Sequence, residues 1–188
     1  MKFAFALGGL LLSCSAAMAG VVNFSGATTI ADPTWDRPIG QGPLPPVMLY
    51  PFSTAISYDF QAFFVSAAGS YTFLSTATNP VNWDNYTFLY QNVFNPAAPL
   101  TNVLVGNDDS PTVGLSGFTT NLDTGRNYFM VTTGFDNTNR GSYSNSISGV
   151  GDITLGIIPT GTVPEPTSLA LVLLALAGLV GSQRRKSA

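Results

Sequence analysis

From Ser57 onward, apolar and polar residues alternate in short runs separated by turn residues. The runs read YDFQAFFVSA, GSYTFLSTA, NYTFLYQNVF, LTNVLVGN, SGFTTNL, NYFMVTTGF, GSYSNSI and DITLGII. Asn79-Pro80, Asn107-Asp108-Asp109, Thr124-Gly125 and Asn139-Arg140-Gly141 punctuate them. A period of two marks strands, and several short strands about 8–12 residues apart predict a sandwich or barrel. In NYTFLYQ, Tyr86, Phe88 and Tyr90 share one face while Thr87 and Leu89 share the other. In NYFMVTT, Tyr128 and Met130 oppose Phe129 and Val131, so this strand is apolar on both faces and is expected at the centre of its sheet. No 3.6-residue period occurs outside the termini. The expected fold is all-β, an antiparallel β-sandwich or jelly roll of about eight strands over residues 57–160. Residues 20–56 precede it as a lead-in rich in proline and glycine, densest in DPTWDRPIGQGPLPPVMLYP from Asp32 to Pro51. Proline fixes φ and removes ladder donors, which predicts an extended segment, either hugging the domain surface or mobile.

The two ends carry a different pattern. Residues 1–19 run from Lys2 through an apolar stretch, Phe3 to Leu12, to Ala17-Met18-Ala19. That is the layout of a secretory signal peptide cleaved between Ala19 and Gly20. Leu11-Leu12-Ser13-Cys14 also resembles a lipobox, the rival processing route. At the other end, residues 161–188 hold Pro164-Glu165-Pro166, an apolar run from Leu169 to Val180, and Arg184-Arg185-Lys186. The uncharged stretch from Thr167 to Gln183 would span roughly 25 Å as a helix, short of the ~30 Å hydrocarbon core. Its basic tail would stay cytoplasmic, leaving the body outside.

Tripeptide, transmembrane-like helix and basic cluster together resemble the PEP-CTERM sorting signal. The resemblance implies a Gram-negative bacterial protein with a signal peptide removed by signal peptidase. It also implies a membrane-embedded exosortase that reads Pro164, Glu165 and Pro166 and processes the tail bearing Arg184 and Arg185. The chain would pass transiently through the inner membrane to the cell surface or extracellular matrix. Bacteria with this route commonly couple it to exopolysaccharide and biofilm formation.

Charge removes several function classes. Between Gly20 and Thr162, three Arg (Arg37, Arg126, Arg140) face nine Asp and no Glu, a net −6. Such a body cannot line a phosphate backbone, so no nucleic acid partner is expected. The chain has no His, and its single cysteine, Cys14, lies in the signal segment. A histidine base, a Cys nucleophile, a disulfide and an iron–sulfur cluster are thereby excluded from the body. Paired carboxylates for glycoside hydrolysis need about 5–9.5 Å across a cleft, and Asp108 and Asp109 are adjacent on an expected turn. The body is therefore expected not to be an enzyme.

Two constellations remain. Asp84, Asn107, Asp108 and Asp109, with Asp123 or Asp136 as outer candidates, are the side chains expected to converge, and calcium takes six to eight such oxygens. The competing reading is that Asn and Asp stand there because they bond their own backbone in turns. Trp35, Trp83, Tyr86, Tyr90 and Tyr143 could stack on sugar rings, or fill the core with Phe88 and Phe129. Arg126 and Arg140 read as turn residues that can pair with Asp123 and Asp136 at small gain. The stretch carrying Asp84, Leu89-Tyr90, Asn107-Asp108-Asp109 and Gly125-Arg126-Asn127-Tyr128 resembles the jelly-roll-like bacterial pre-peptidase C-terminal domains over roughly residues 57–155. That resemblance implies a secreted β-sandwich, and related domains bind calcium. The protease that usually hosts such a domain has no counterpart here. The expected function is an exported, non-enzymatic β-sandwich with a structural or exopolysaccharide-associated role. The alternative is a calcium-dependent or carbohydrate-binding surface module. Calcium is the one candidate cofactor and polysaccharide the candidate partner beyond the processing enzymes.

Overall fold

The computed structural model describes residues 19–40, 42–52 and 54–159. The signal segment and the sorting segment, with Pro164, Glu165, Pro166, Arg184 and Arg185, lie outside them. Among the described residues there is no helix. Twelve strands follow in order: β1 (Gly20–Ala27), β2 (Thr34–Trp35), β3 (Pro38–Ile39), β4 (Met48–Leu49), β5 (Ile56–Val65), β6 (Gly69–Asn79), β7 (Asn85–Gln91), β8 (Val103–Asn107), β9 (Leu115–Leu122), β10 (Tyr128–Gly134), β11 (Ser142–Gly149) and β12 (Ile153–Leu155). All pairings are antiparallel. One sheet runs β1-β11-β6-β9. The other runs β12-β5-β10-β7-β8, with β2 alongside the start of β5.

Alternation builds the core between the sheets. Strand β6 sends Tyr71, Phe73 and Ala77 inward and leaves Ser70, Thr72 and Leu74 in solvent. Tyr71, Phe73, Leu122 and Ile147 from the first sheet meet Phe63, Val65, Leu89, Val105, Tyr128 and Met130 from the second. Strand β10 lies centrally between β5 and β7, as its two apolar faces predict.

Its second face is apolar because the six-stranded sheet is covered on both sides. Trp35, Ile56, Tyr58, Tyr86, Phe88, Tyr90, Val103 and Val131 form a second buried cluster on the face away from the first sheet. The lead-in supplies the cover, with Trp35 at its centre and Tyr50 packed at its margin. This is why all of Asn85 to Tyr90 is buried.

The eight strands expected from Ser57 onward correspond to β5–β12. The sandwich itself starts earlier than residue 57. Strand β1 begins at Gly20, the expected first residue after signal cleavage, and pairs with β11 over its whole length, from Gly20↔Gly149 to Ala27↔Ser142. The reason it escapes notice in the sequence is its half-burial: Val22 and Phe24 face inward but are only partly buried, and Val21 is 64% exposed. The proline-rich stretch packs rather than hangs free. Its prolines sit where few ladder donors are needed, in two-residue pairings such as Pro38↔Leu49.

Candidate metal centre

Strands β7 and β8 are antiparallel, with Thr87 opposite Asn107. That register brings the residue before β7, Asp84, to the same end as the residues after β8, Asp108 and Asp109. One carboxylate oxygen from each of the three lies within 4.8 Å of the others. The surrounding backbone is held on all sides. Asp84 O accepts from Phe135 N at 3.0 Å, Asn107 O from Ser116 Oγ at 2.7 Å, and Ser110 N donates to Leu115 O at 2.7 Å. Beneath Asp84, buried Asn85 donates to Ser75 Oγ of the opposing sheet at 3.0 Å.

The site is electrostatically uncompensated. Asp108 is only 8% exposed, and its Oδ1 and that of Asn107 are buried without a hydrogen-bond partner. Burial, and then the charges of Asp84 and Asp109, push the Asp108 carboxyl up to about 6. Burial also raises Asp84, aided by Asp109 and Asp136. The nearest cation, Arg37, attracts both carboxylates but forms no ion pair with either; among the described residues the ion pair formed is Arg126–Asp123, at 3.7 Å. Arg37 spends its donors elsewhere: Nε and Nη2 donate to Phe135 O at 2.9 and 2.8 Å, and Nη1 to Pro38 O at 2.9 Å. Its guanidinium lies 4.2 Å from the Tyr50 ring centroid, 4.4 Å from Tyr86 and 5.0 Å from Phe135.

Two oxygens on opposite sides of a calcium ion, each about 2.4 Å from it, are about 4.8 Å apart. The spread of the three carboxylates fits that span, and Asn107, next in sequence to Asp108, holds a buried, unpartnered neutral acceptor in its Oδ1. Asp109 is exposed, which leaves water free to complete the shell. Hard, oxygen-only donors of this kind suit a cation such as calcium.

The outer candidates are not part of the cluster. Asp123 pairs with Arg126 in the β9–β10 turn. Asp136 Oδ1 accepts from Thr138 N, Thr138 Oγ1 and Asn139 N at 2.7, 2.6 and 3.1 Å, a self-bonded turn. Arg140 donates to Asn137 O, not to Asp136.

The aromatic candidates for sugar stacking are all buried: Trp35 at 3% exposure, Trp83 at 7%, Tyr86 at 1%, Tyr90 at 0% and Tyr143 at 4%. Their polar tips are occupied inside the fold. Trp35 Nε1 donates to Thr133 Oγ1, Trp83 Nε1 to Ser142 O, Tyr90 OH to Pro99 O and Tyr143 OH to Asp59 Oδ2, while Tyr86 OH bonds the Gly40 backbone. Core packing, the other reading of these side chains, is what they do. Arg37, Tyr50 and Phe135 have no assigned role in the sequence, and Tyr86 reads there as a sugar-stacking or core residue; the one signal was a lone arginine within an aromatic, proline-rich run.

No curated protein matches this chain. Two solved structures are distantly similar to this chain. The CBM35 from Cellvibrio japonicus Abf62 is 11% identical with a TM-score of 0.36, over 72% of this chain and 100% of that one. A bacterial lipoprotein from Bacteroides thetaiotaomicron is 13% identical with a TM-score of 0.31, over 73% of this chain and 82% of that one. The family model for the PEP-CTERM protein-sorting motif matches residues 162–186, a span that takes in Pro164, Glu165, Pro166, Arg184 and Arg185, so the chain carries that sorting motif.

Proposed function

We propose that this chain is an exported, non-enzymatic surface protein, processed by an exosortase at its sorting motif, whose sandwich holds calcium and serves a structural, exopolysaccharide-associated role. The sorting half rests on the motif at residues 162–186. The calcium half rests on the convergence of Asp84, Asp108 and Asp109 around a buried, unpartnered carboxylate oxygen. Extracellular modules bind calcium at about 10⁻⁴–10⁻³ M, so such a site would fill outside the cell and stay empty in the cytosol. A ligand that binds the folded state alone stabilises it in proportion to the logarithm of its concentration over Kd, about 1.4 kcal/mol at tenfold excess. The absence of histidine throughout the chain, and the placement of the three carboxylates on one hairpin end, favour holding an ion over acid–base chemistry.

Two measurements test the halves separately. The intact mass of the protein from its host, with and without the exosortase, should show loss of the residue 169–180 segment only when the enzyme is present. Isothermal titration should show one calcium bound by the wild type and none by Asp108→Asn. Arg184-Arg185-Lys186 retained in both strains would overturn the first half, and no calcium heat in the wild type the second.

A further inference from the structure

A sandwich has four sheet edges, and here two are short or bridged and a third is tied at one end. Strand β12 is three residues long. Strand β8 is five residues long, and the lead-in bridges it through Gly42↔Gly106. Strand β9, eight residues long, is tied to the β8 end through its first two residues: Ser116 Oγ donates to Asn107 O, and Leu115 O accepts from Ser110 N. Strand β1 differs. It is eight residues long and pairs with β11 on one side. Among the described residues no strand pairs with its other side.

Open edges present a row of backbone donors and acceptors, and proteins usually blunt them with lysine, proline, bulges or short length. Strand β1 carries none of these devices. Gly20 to Ala31 holds no charged residue and no proline, although the body is net −6. Its pairing with β11 runs over eight residues without a bulge.

We infer that β1 is a dimerisation strand, and that its partner is β1 of a second copy of this chain. The inference rests on the untied, uncharged edge of β1 and its apolar rim, and is independent of calcium. A two-fold axis normal to the sheet would set the two strands antiparallel, joining two four-stranded sheets into one of eight. Side chains alternate between faces, so inward residues must meet inward residues. A register centred on Asn23 achieves this: Val22 falls opposite Phe24 of the other copy, Val21 opposite Ser25, and Gly20 opposite Gly26. Val22 and Phe24 are the partly buried rim of the main core at this edge. Pairing would cover each rim with the other, which a polar partner strand would not do. Like-charge repulsion, the usual obstacle to self-pairing at an edge, is absent along the whole strand.

Cysteine substitution gives a direct test, because the chain after Cys14 has no cysteine. Directly opposed residues in an antiparallel pair have Cα atoms about 4.5–5.5 Å apart, within disulfide range. The secreted protein is therefore purified as wild type, Asn23→Cys, Thr119→Cys on β9, and Val21→Lys. Wild type should show a concentration-dependent monomer–dimer equilibrium by sedimentation. Asn23→Cys should convert to a covalent dimer under mild oxidation at least tenfold faster than Thr119→Cys. Val21→Lys, at an exposed position, should weaken dimerisation at least tenfold with unchanged near-ultraviolet circular dichroism. A wild type that stays monomeric throughout overturns the inference. So does equal cross-linking at residues 23 and 119, or assembly past the dimer.

Discussion

Arg37 and Phe135 are locked together twice over: two guanidinium nitrogens converge on the Phe135 carbonyl oxygen at 2.8 and 2.9 Å, while the Phe135 ring stands 5.0 Å from the same guanidinium carbon. Phe135 N in turn donates to Asp84 O. The contact thus links the lead-in to the backbone of the candidate metal centre. Arg37→Ala would leave a buried carbonyl short of donors and three rings without their cation. The expected loss is about 3.5–5 kcal/mol, from charge-assisted bonds worth about 1.5–3 and cation–π contacts of about 2 when desolvated. Arg37→Lys should recover little, because an ammonium cannot donate in a fork while stacking on rings. Urea unfolding of both variants measures this, and wild-type-like stability in Arg37→Lys would show that charge alone suffices.

Asp108→Asn should have opposite effects with and without calcium. In chelator, the substitution removes a charge crowded by Asp84 and Asp109 in a buried position, so the variant melts at or above the wild-type temperature. In millimolar calcium the wild type should gain stability and the variant should not. Differential scanning calorimetry under the two conditions reads the crossing. Parallel shifts in both proteins would mean that calcium acts somewhere else.

Trp35→Ala should cost about 3–5 kcal/mol, the range for emptying a buried aromatic site. Trp35 is 3% exposed and packs against Tyr58, Phe88, Tyr90 and Phe94 at centroid distances of 5.5–6.3 Å. The loss should also raise hydrogen exchange in β2 and the first residues of β5, which lose their lid. Exchange confined to β1 would contradict the layered packing.

The turn at Asp136 predicts a pH dependence of definite sign. The Thr138 hydroxyl, with the Thr138 and Asn139 amides, holds the Asp136 carboxyl below its ordinary 3.8. A depressed acid stabilises the fold above its unfolded value, and that contribution disappears as pH falls through the folded one. Thr138→Ala should therefore move the Asp136 titration upward by nuclear magnetic resonance and flatten the acid limb of stability below about pH 4. An unmoved titration would place the control in the amides alone.

Much of the sandwich was legible because strands β5–β12 alternate with a period of two and end at Asn, Asp, Gly or Pro. The central place of β10 followed from Met130 and Val131 lying on opposite, equally apolar faces. The acidic cluster was legible too, since a hairpin joining β7 to β8 must bring Asp84 near Asp108 and Asp109. What pattern could not show was the cover on the second sheet face. Tyr86, Phe88 and Tyr90 alternate with Thr87 and Leu89 whether their face meets solvent, a sugar or another layer; only the packing of Trp35 decides it. Strand β1 was hidden for a related reason: an edge strand with Val22 and Phe24 half-buried has too weak a contrast between its faces to stand out. Arg37 is the least legible residue, because burying a lone cation depends on three rings from distant segments.

The pairing of Gly20 with Gly149 sets a condition on the order of events during export. Within one chain, among the described residues, the first strand of the body finds its ladder in β11, and the lead-in finds its seat on a sheet built from β5, β7, β8 and β10. Both must wait, unpartnered, until nearly the whole body has emerged, and structures dominated by such remote pairings form slowly. A chain emerging amino-end first therefore cannot close either contact until β10 and β11 have emerged as well.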